Sequence, residues 1–523
     1  MLRPMGSPWL RRLAPIAAIC LVAFGCAPAP STVTTAAPMP GPAALPSAPI
    51  ATALPLGSPL PAIPLADHLR DSLDVEGILA DLDRLQAITL DHGGIRPAGS
   101  EGYTAAAQFV ADELRTAGYD VRLQPVDLPV FTQSGPSTLE ITGAGGRTFD
   151  DLHDFKAMLF SPSAEITAPL HALGYNPHAV AGDTGGLGCN PEDWLAVPAG
   201  VVVLVQPGNC RRHDAVVLAQ AAGVVGLITA YPGWSRDGVL RPTLIEPSDI
   251  RIPVLGADMA VGNALNDAAA TGASVHISVH ASTAMGSSVN VIGETPWGDP
   301  GHVVMLGGHL DSVVDGPGMN DDGSGTMTVL GIAKALASLG RAAAGPGGAP
   351  PGAAWKVRVG FWTGEEIGLW GSRAYVASLP PGAVAAYLNL DMLGSPNGVR
   401  LVYDGATTPR PQESLVIGGL VSRALDDMGL VWQTASLGGS SDHASFENAG
   451  IPTGGLFAGA NEIKTQAEAD LFGGTANAPA DPCMHLACDT TNDLDPTLLG
   501  ELARAAAWTV GALASREVDL SGS

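Results

Sequence analysis

Three nearly continuous apolar runs, Val303–Leu306, Val357–Trp362 and Ala386–Leu390, each break off into a short ionisable cluster. No other feature restricts the fold so strongly. A strand with one wet face alternates apolar and polar residues, whereas an unbroken apolar run reads as a strand buried on both faces. Helical segments separate the runs, so the pattern predicts an α/β body: a mostly parallel sheet with helices on both faces. Such sheets place ligand sites at the carboxyl ends of their strands. His309 and Asp311 follow the first run, two apart and so on one face of extended chain. Glu365 and Glu366 follow the second, and Asp391 the third. The clusters are therefore expected to converge.

Two further segments belong to the same edge. Asn320-Asp321-Asp322 sits in a glycine-rich turn ahead of an apolar helix, Met327–Leu339. Taken alone, the turn could be no more than a solvated helix cap. Far downstream, "DPCMHLACD" places His485 inside a loop that a Cys483–Cys488 bridge would close, holding the ring rigidly. Two histidines and several carboxylates, without thiolate, suit zinc ahead of manganese or cobalt. Five ligand candidates exceed what one catalytic zinc needs, and suit a pair bridged by a carboxylate and a water. A further carboxylate is then needed to move the proton from the water to the leaving amine.

The rest of the chain frames that body. Residues 1–25 have the layout of an export signal: Arg3, Arg11 and Arg12, then the apolar Leu13–Phe24, too short for a comfortable membrane span. Ala23-Phe24-Gly25-Cys26 resembles a bacterial lipobox, with lipid on Cys26; cleavage nearby without lipid is the alternative. Residues 26–66, rich in Ala and Pro, read as a disordered tether. Beyond Cys20 and Cys26, the four remaining cysteines form two local pairs, Cys189/Cys210 and Cys483/Cys488, expected as disulfides in an exported protein. Residues 67–127 read as helices and a strand, 128–284 as short β-rich runs with the single helix Asp214–Ala222, 285–515 as the α/β body, and 516–523 as a tail. Gly340–Ala354 reads as a loop. The net charge of −25 argues against nucleic acid as a partner.

"VVVLVQPGNC", "AVVLAQAAGVVGLITA" and "IPVLGAD" resemble a protease-associated domain, a module that covers or shapes active sites. "GGHLDSVVDGPGMNDDGSGT", "GFWTGEEIGLWGS", "LNLDMLGSP" and "DPCMHLACD" resemble the secreted bacterial aminopeptidases with two co-catalytic zincs, over 67–127 and 285–515. The resemblance implies that His309 and Asp391 bind one zinc, Glu366 and His485 the other, and that Asp321 bridges them. It implies Glu365 as general base, Asp311 as the carboxylate orienting His309, and a cis Asp321–Asp322 peptide. Met484 stands where these relatives carry a tyrosine that stabilises the oxyanion. Asp442 and His443, in "GGSSDHASF", then take structural or pocket-wall places, and Glu462 could meet a free amino terminus.

The expected function is an exported, surface-held or periplasmic zinc aminopeptidase acting on peptides with free, apolar N-termini. A glutamate-type carboxypeptidase would need a basic cluster for the substrate carboxylate, and only Arg373 and Arg400 are candidates. Glutaminyl cyclase and a non-catalytic ectodomain are the remaining family alternatives. Oligomeric state is not legible.

Overall fold

The computed structural model describes residues 62–143, 146–180, 183–233, 239–436, 438–518 and 520. The segment expected as an export signal, Cys20, Cys26 and nearly all of the expected tether lie outside the described residues.

The tether is shorter than expected at its far end. Helix Pro64–Asp71 begins inside it, with the proline at the start, where its missing N–H costs nothing and its fixed φ suits a helix. Leu65, Ala66 and Leu69 are buried there.

The body is an eight-stranded sheet. Its order is Asp120–Gln133, Ala281–Glu294, Trp355–Trp362, Asp299–His309, Ala386–Leu390, Thr453–Phe457, Leu401–Asp404, Gln433–Ser436. The four strands from Trp355–Trp362 to Thr453–Phe457 are parallel, and antiparallel strands flank them on both sides. Burial explains the continuous runs. Val304, Leu306, Val357, Val359, Phe361, Leu388 and Leu390 face the main core, together with helices Glu101–Ala117, Gly325–Ala344, Pro411–Asp427 and Pro496–Leu513. Met305, Trp362 and Tyr387 face the other way, onto Tyr375 of helix Trp370–Ala377 and Phe446 of helix His443–Asn448. Register then aligns the strand ends, with His309 opposite Trp362 and Gly307 opposite Asn389.

A second eight-stranded sheet forms the insert. Its order is Arg147–Phe149, Thr138–Thr142, Ser274–Val279, Ala164–Ala172, Val202–Val205, Gly226–Tyr231, Val254–Asp258, Phe155–Ala157. The two sheets part at Gln133 and Ala281 rather than at 127 and 285, because Asp120–Gln133 and Ala281–Glu294 stay paired over their whole length. Among its described residues the insert holds two α-helices, Arg212–Ala221 and a second one, Met259–Ala270, not foreseen. Alanine-rich and short of large apolar residues, the second helix shows little periodicity, yet the Asp258 side chain caps it at Val261 N, 2.7 Å away.

Helix Gly325–Ala344 runs through Gly340 into the expected loop. The loop backbone at Gly348 lies where a Cβ on residue 340 would sit, so glycine permits close packing instead of ending the helix. The C-terminal stretch is not a loose tail throughout: Val518 and Leu520 pack on the main core.

Candidate metal centre

His309 ends its strand as a buried residue. Its Nδ1 lies 3.1 Å from the Asp311 carbonyl, which can only accept, so Nδ1–H donates and the ring turns Nε2 toward the carboxylates, where it can hold a metal once deprotonated. Nε2 lies 3.1 Å from Asp321 Oδ1 and 3.7 Å from Asp391 Oδ1. The other oxygen of Asp321, Oδ2, lies 2.9 Å from His485 Nε2, and Glu366 Oε2 lies 3.1 Å from the same nitrogen. One carboxylate thus divides its two oxygens between two imidazoles. Burial would raise the Asp321 pKa, but hydrogen bonds to both imidazoles reverse this and carry it far below the usual carboxylate range. Burial would likewise lower His309 and His485. Neighbouring carboxylates, Asp391 for one and Glu366 for the other, push both well up instead.

The turn holding Asp321 is built by buried acids. Asp489 accepts from Asn320 N at 2.6 Å and from Asp321 N at 3.2 Å, and Asp481 accepts from the Asn320 amide at 2.6 Å. The Asp321–Asp322 peptide is cis. Asp322 lies within the His309–Asp391 cluster, but its Oδ1 accepts from Gly325 N at 2.9 Å and from Met392 N at 3.1 Å. It ties the Asp391 loop to the start of a helix, which suits a holder better than a ligand. Gly308 makes room for it, since a Cβ there would overlap Asp322 Oδ2 and the Leu390 carbonyl.

Disulfides join Cys189 to Cys210 and Cys483 to Cys488. Within the second loop, Asp481 Oδ1 accepts from Cys483 N and Met484 N at 2.7 and 3.0 Å, and His485 takes a left-handed φ of 62°.

Glu365 is placed by Asp311, whose Oδ1 accepts its backbone N–H at 3.2 Å. The Asp311 carboxylate thus serves Glu365, while its backbone carbonyl makes the nearer contact to His309; the carboxylate to Nδ1 distance is 3.8 Å. Burial, with Glu366 adding to it, holds the Glu365 pKa well above its ordinary value, and burial raises Asp311 to about 7.

Zinc fits this donor set. Two atoms each about 2.0–2.1 Å from one tetrahedral zinc stand roughly 3.3 Å apart, close to the 2.9–3.7 Å separations among these nitrogens and oxygens. Glu366 Oε1 and Asp391 Oδ1 are buried without a hydrogen-bond partner, as oxygens that serve a cation can be.

His443 has no hydrogen-bond partner for either ring nitrogen among the described residues. It is fully buried, packs 5.2 Å from the Tyr403 ring, and burial lowers its pKa from 6.5 to about 4. Between those values the unfolded chain binds the extra proton. Stability is therefore lost as pH falls from 6.5 through 4, by about 3 kcal/mol in all. His443→Gln should flatten the pH dependence of urea unfolding by that amount over this interval. Glu462 Oε2 accepts from Ala460 N at 2.7 Å within its own loop. Met484 packs on an apolar cluster that includes Met392, Tyr403 and Phe457.

Arg96 was not legible as a site residue. Fully buried, it donates to the carbonyls of Leu310 and Gly318 at 2.7 and 2.5 Å, and to that of Pro317. A lone arginine more than two hundred residues upstream carries no local signal of that role.

The model of peptidase family M28 matches residues 290–510, and that of the PA domain matches 167–265. A "Probable lipoprotein aminopeptidase" of Mycobacterium tuberculosis is 36% identical over 468 residues, covering 87% of each chain. The chain belongs to peptidase family M28. An aminopeptidase of Pseudomonas aeruginosa is 34% identical, over 80% of this chain and 76% of its own. Two solved structures share the fold of this M28 peptidase. One is an aminopeptidase from an Aneurinibacillus strain, with TM-score 0.67 and 24% identity over 87% of this chain and 97% of that one. The other is a zinc aminopeptidase from Bacillus subtilis, with TM-score 0.61 and 22% identity over 86% and 98%. The PA match falls within the second sheet, so this M28 peptidase carries its PA domain as an insert between the two antiparallel strands Asp120–Gln133 and Ala281–Glu294.

Proposed function

We propose that this M28 peptidase is an exported, zinc-dependent aminopeptidase with two zincs, His309 and Asp391 holding one, Glu366 and His485 the other, and Asp321 bridging. The observation that carries this reading is the division of the Asp321 oxygens between the two imidazoles. When bound, zinc supplies Lewis acidity toward the scissile carbonyl and the attacking water. Glu365, held by Asp311 and desolvated, takes the proton from that water and passes it to the departing amine. Asp322 and Asp489 keep the ligand loops in register, and Arg96 fastens the turn between His309 and Asp321.

Met392 and Met484 adjoin Asp391 and His485 in sequence and share an apolar cluster with Tyr403 and Phe457, which supports a preference for apolar N-terminal residues. The export signal and the two disulfides support an oxidising compartment, with Cys26 as the anchoring residue. Of its two candidate cations, the carboxypeptidase alternative keeps only Arg373, which sits on helix Trp370–Ala377 and not on a ligand turn. Arg96 is spent on carbonyls, and Arg400 is bound to Glu501 at 2.7 Å.

A panel of free and N-acetylated peptides, with mass analysis of the products, tests the reading. Stepwise loss from free N-termini, abolished by acetylation and by a strong chelator, is expected. Release from the C-terminus, or cleavage that survives metal removal, would sink it.

A further inference from the structure

The turn 310–318 joins His309 to the Asp321 loop and is gripped from two sides. Arg96 holds it from the peptidase body. From the PA domain, Arg241 reaches Asp315 with a two-pronged grip: Nε to Oδ2 at 3.0 Å and Nη2 to Oδ1 at 3.2 Å. Its Nη1 donates to Gln133 Oε1 at 3.0 Å and to the Ala157 carbonyl at 2.8 Å. Lys156 Nζ lies 3.3 Å from the same carboxylate. The Arg241 and Lys156 side chains are each 5% exposed, so this is a desolvated cluster with planar, two-point geometry, unlike a surface ion pair.

The same stretch of the PA domain reaches the second ligand loop. Val314 of the turn and Ile367, next to Glu366, both pack on the PA core cluster that contains Leu244 and Ile250. A Cβ on Gly368 would lie 2.7 Å from Ile245 Cγ2. At Gly316 the turn also abuts the backbone of Leu486, beside His485.

We propose that Arg241 is a positioning residue of the metal centre: through Asp315 it sets the 310–318 turn, and with it the spacing of His309, Asp321 and His485. The PA domain is then a working part of the catalytic apparatus. This rests on the two-zinc reading above.

Domain docking alone would alter stability, whereas positioning also alters zinc retention and turnover. The test uses the full chain and three readouts: zinc release to a chromogenic chelator, kcat and KM on leucyl-p-nitroanilide, and thermal midpoint. Arg241→Met should speed zinc release and lower kcat, each about tenfold, with KM changed less than threefold. Arg241→Lys should recover part of both. The Arg241→Met/Asp315→Asn double variant should be no worse than the more impaired single one. Val202→Ala, in the PA core, should lower the midpoint while leaving both rates unchanged. Arg241→Met with wild-type zinc release and kcat overturns the proposal, whatever its midpoint. Should that variant fail to fold, Asp315→Asn is read by the same two rates, with the same overturning result. A wild-type protein that holds no zinc or cleaves no free N-terminus sinks the two-zinc reading itself, before any variant is compared.

Discussion

Glu365→Ala will lower kcat by about 10²–10⁴-fold while the protein retains its zinc, because general acid–base transfer by one positioned group contributes that much. The backbone N–H of Glu365 is anchored on Asp311, so truncating its side chain leaves that anchor in place. Kinetics paired with elemental analysis check this. A near-normal rate removes Glu365 from the proton transfer; lost zinc reassigns it to the ligands. Glu365→Gln should behave alike, since the amide keeps the shape but cannot take the proton.

Asp321→Ala should have the opposite signature, losing metal first and activity as a consequence. Asp321 is the residue whose carboxylate touches both imidazoles. Removing a buried charge that compensates others costs about 3–5 kcal/mol, which is roughly 10²–10⁴ in zinc affinity. On the proposed two-zinc reading, dialysed protein should fall from two zincs per chain to below one, and activity should return only in excess zinc. Full metal content in the variant would show that Asp321 is not the bridge. Comparing the two variants separates proton transfer from metal binding, because one keeps zinc and loses rate while the other loses both.

Much of the site was readable in one dimension because its parts are strand ends. A run buried on both faces announces a parallel strand, and its first polar residues must lie at the sheet edge; hence His309, Glu366 and Asp391 could be assigned to one place from run order. Asp321 and His485 could be placed at that edge from the residues less firmly, since a glycine-rich turn and a short disulfide loop also occur without any metal, and their roles as bridge and ligand were implied by the resemblance. The supporting groups were less visible. Arg96, Asp322 and Asp489 act through backbone amides and carbonyls far away in sequence, and such partners leave no periodic trace. Asp311 was expected beside His309 and is there, yet its carboxylate serves Glu365, a choice made by loop geometry.

The domain limits show the same division. Texture placed the change at 127 and 285, but backbone pairing carries the peptidase strands to Gln133 and back from Ala281. The order of residues alone therefore determined the kind of sheet, the edge on which chemistry gathers and the set of donor side chains, because burial on both faces and donor chemistry are local properties. Tertiary structure decided which oxygen faces which nitrogen, where the inserted domain begins, and that Arg241 and Arg96 hold one turn from opposite sides. Those depend on chain segments meeting in space, and separation along the chain carries no information about that meeting.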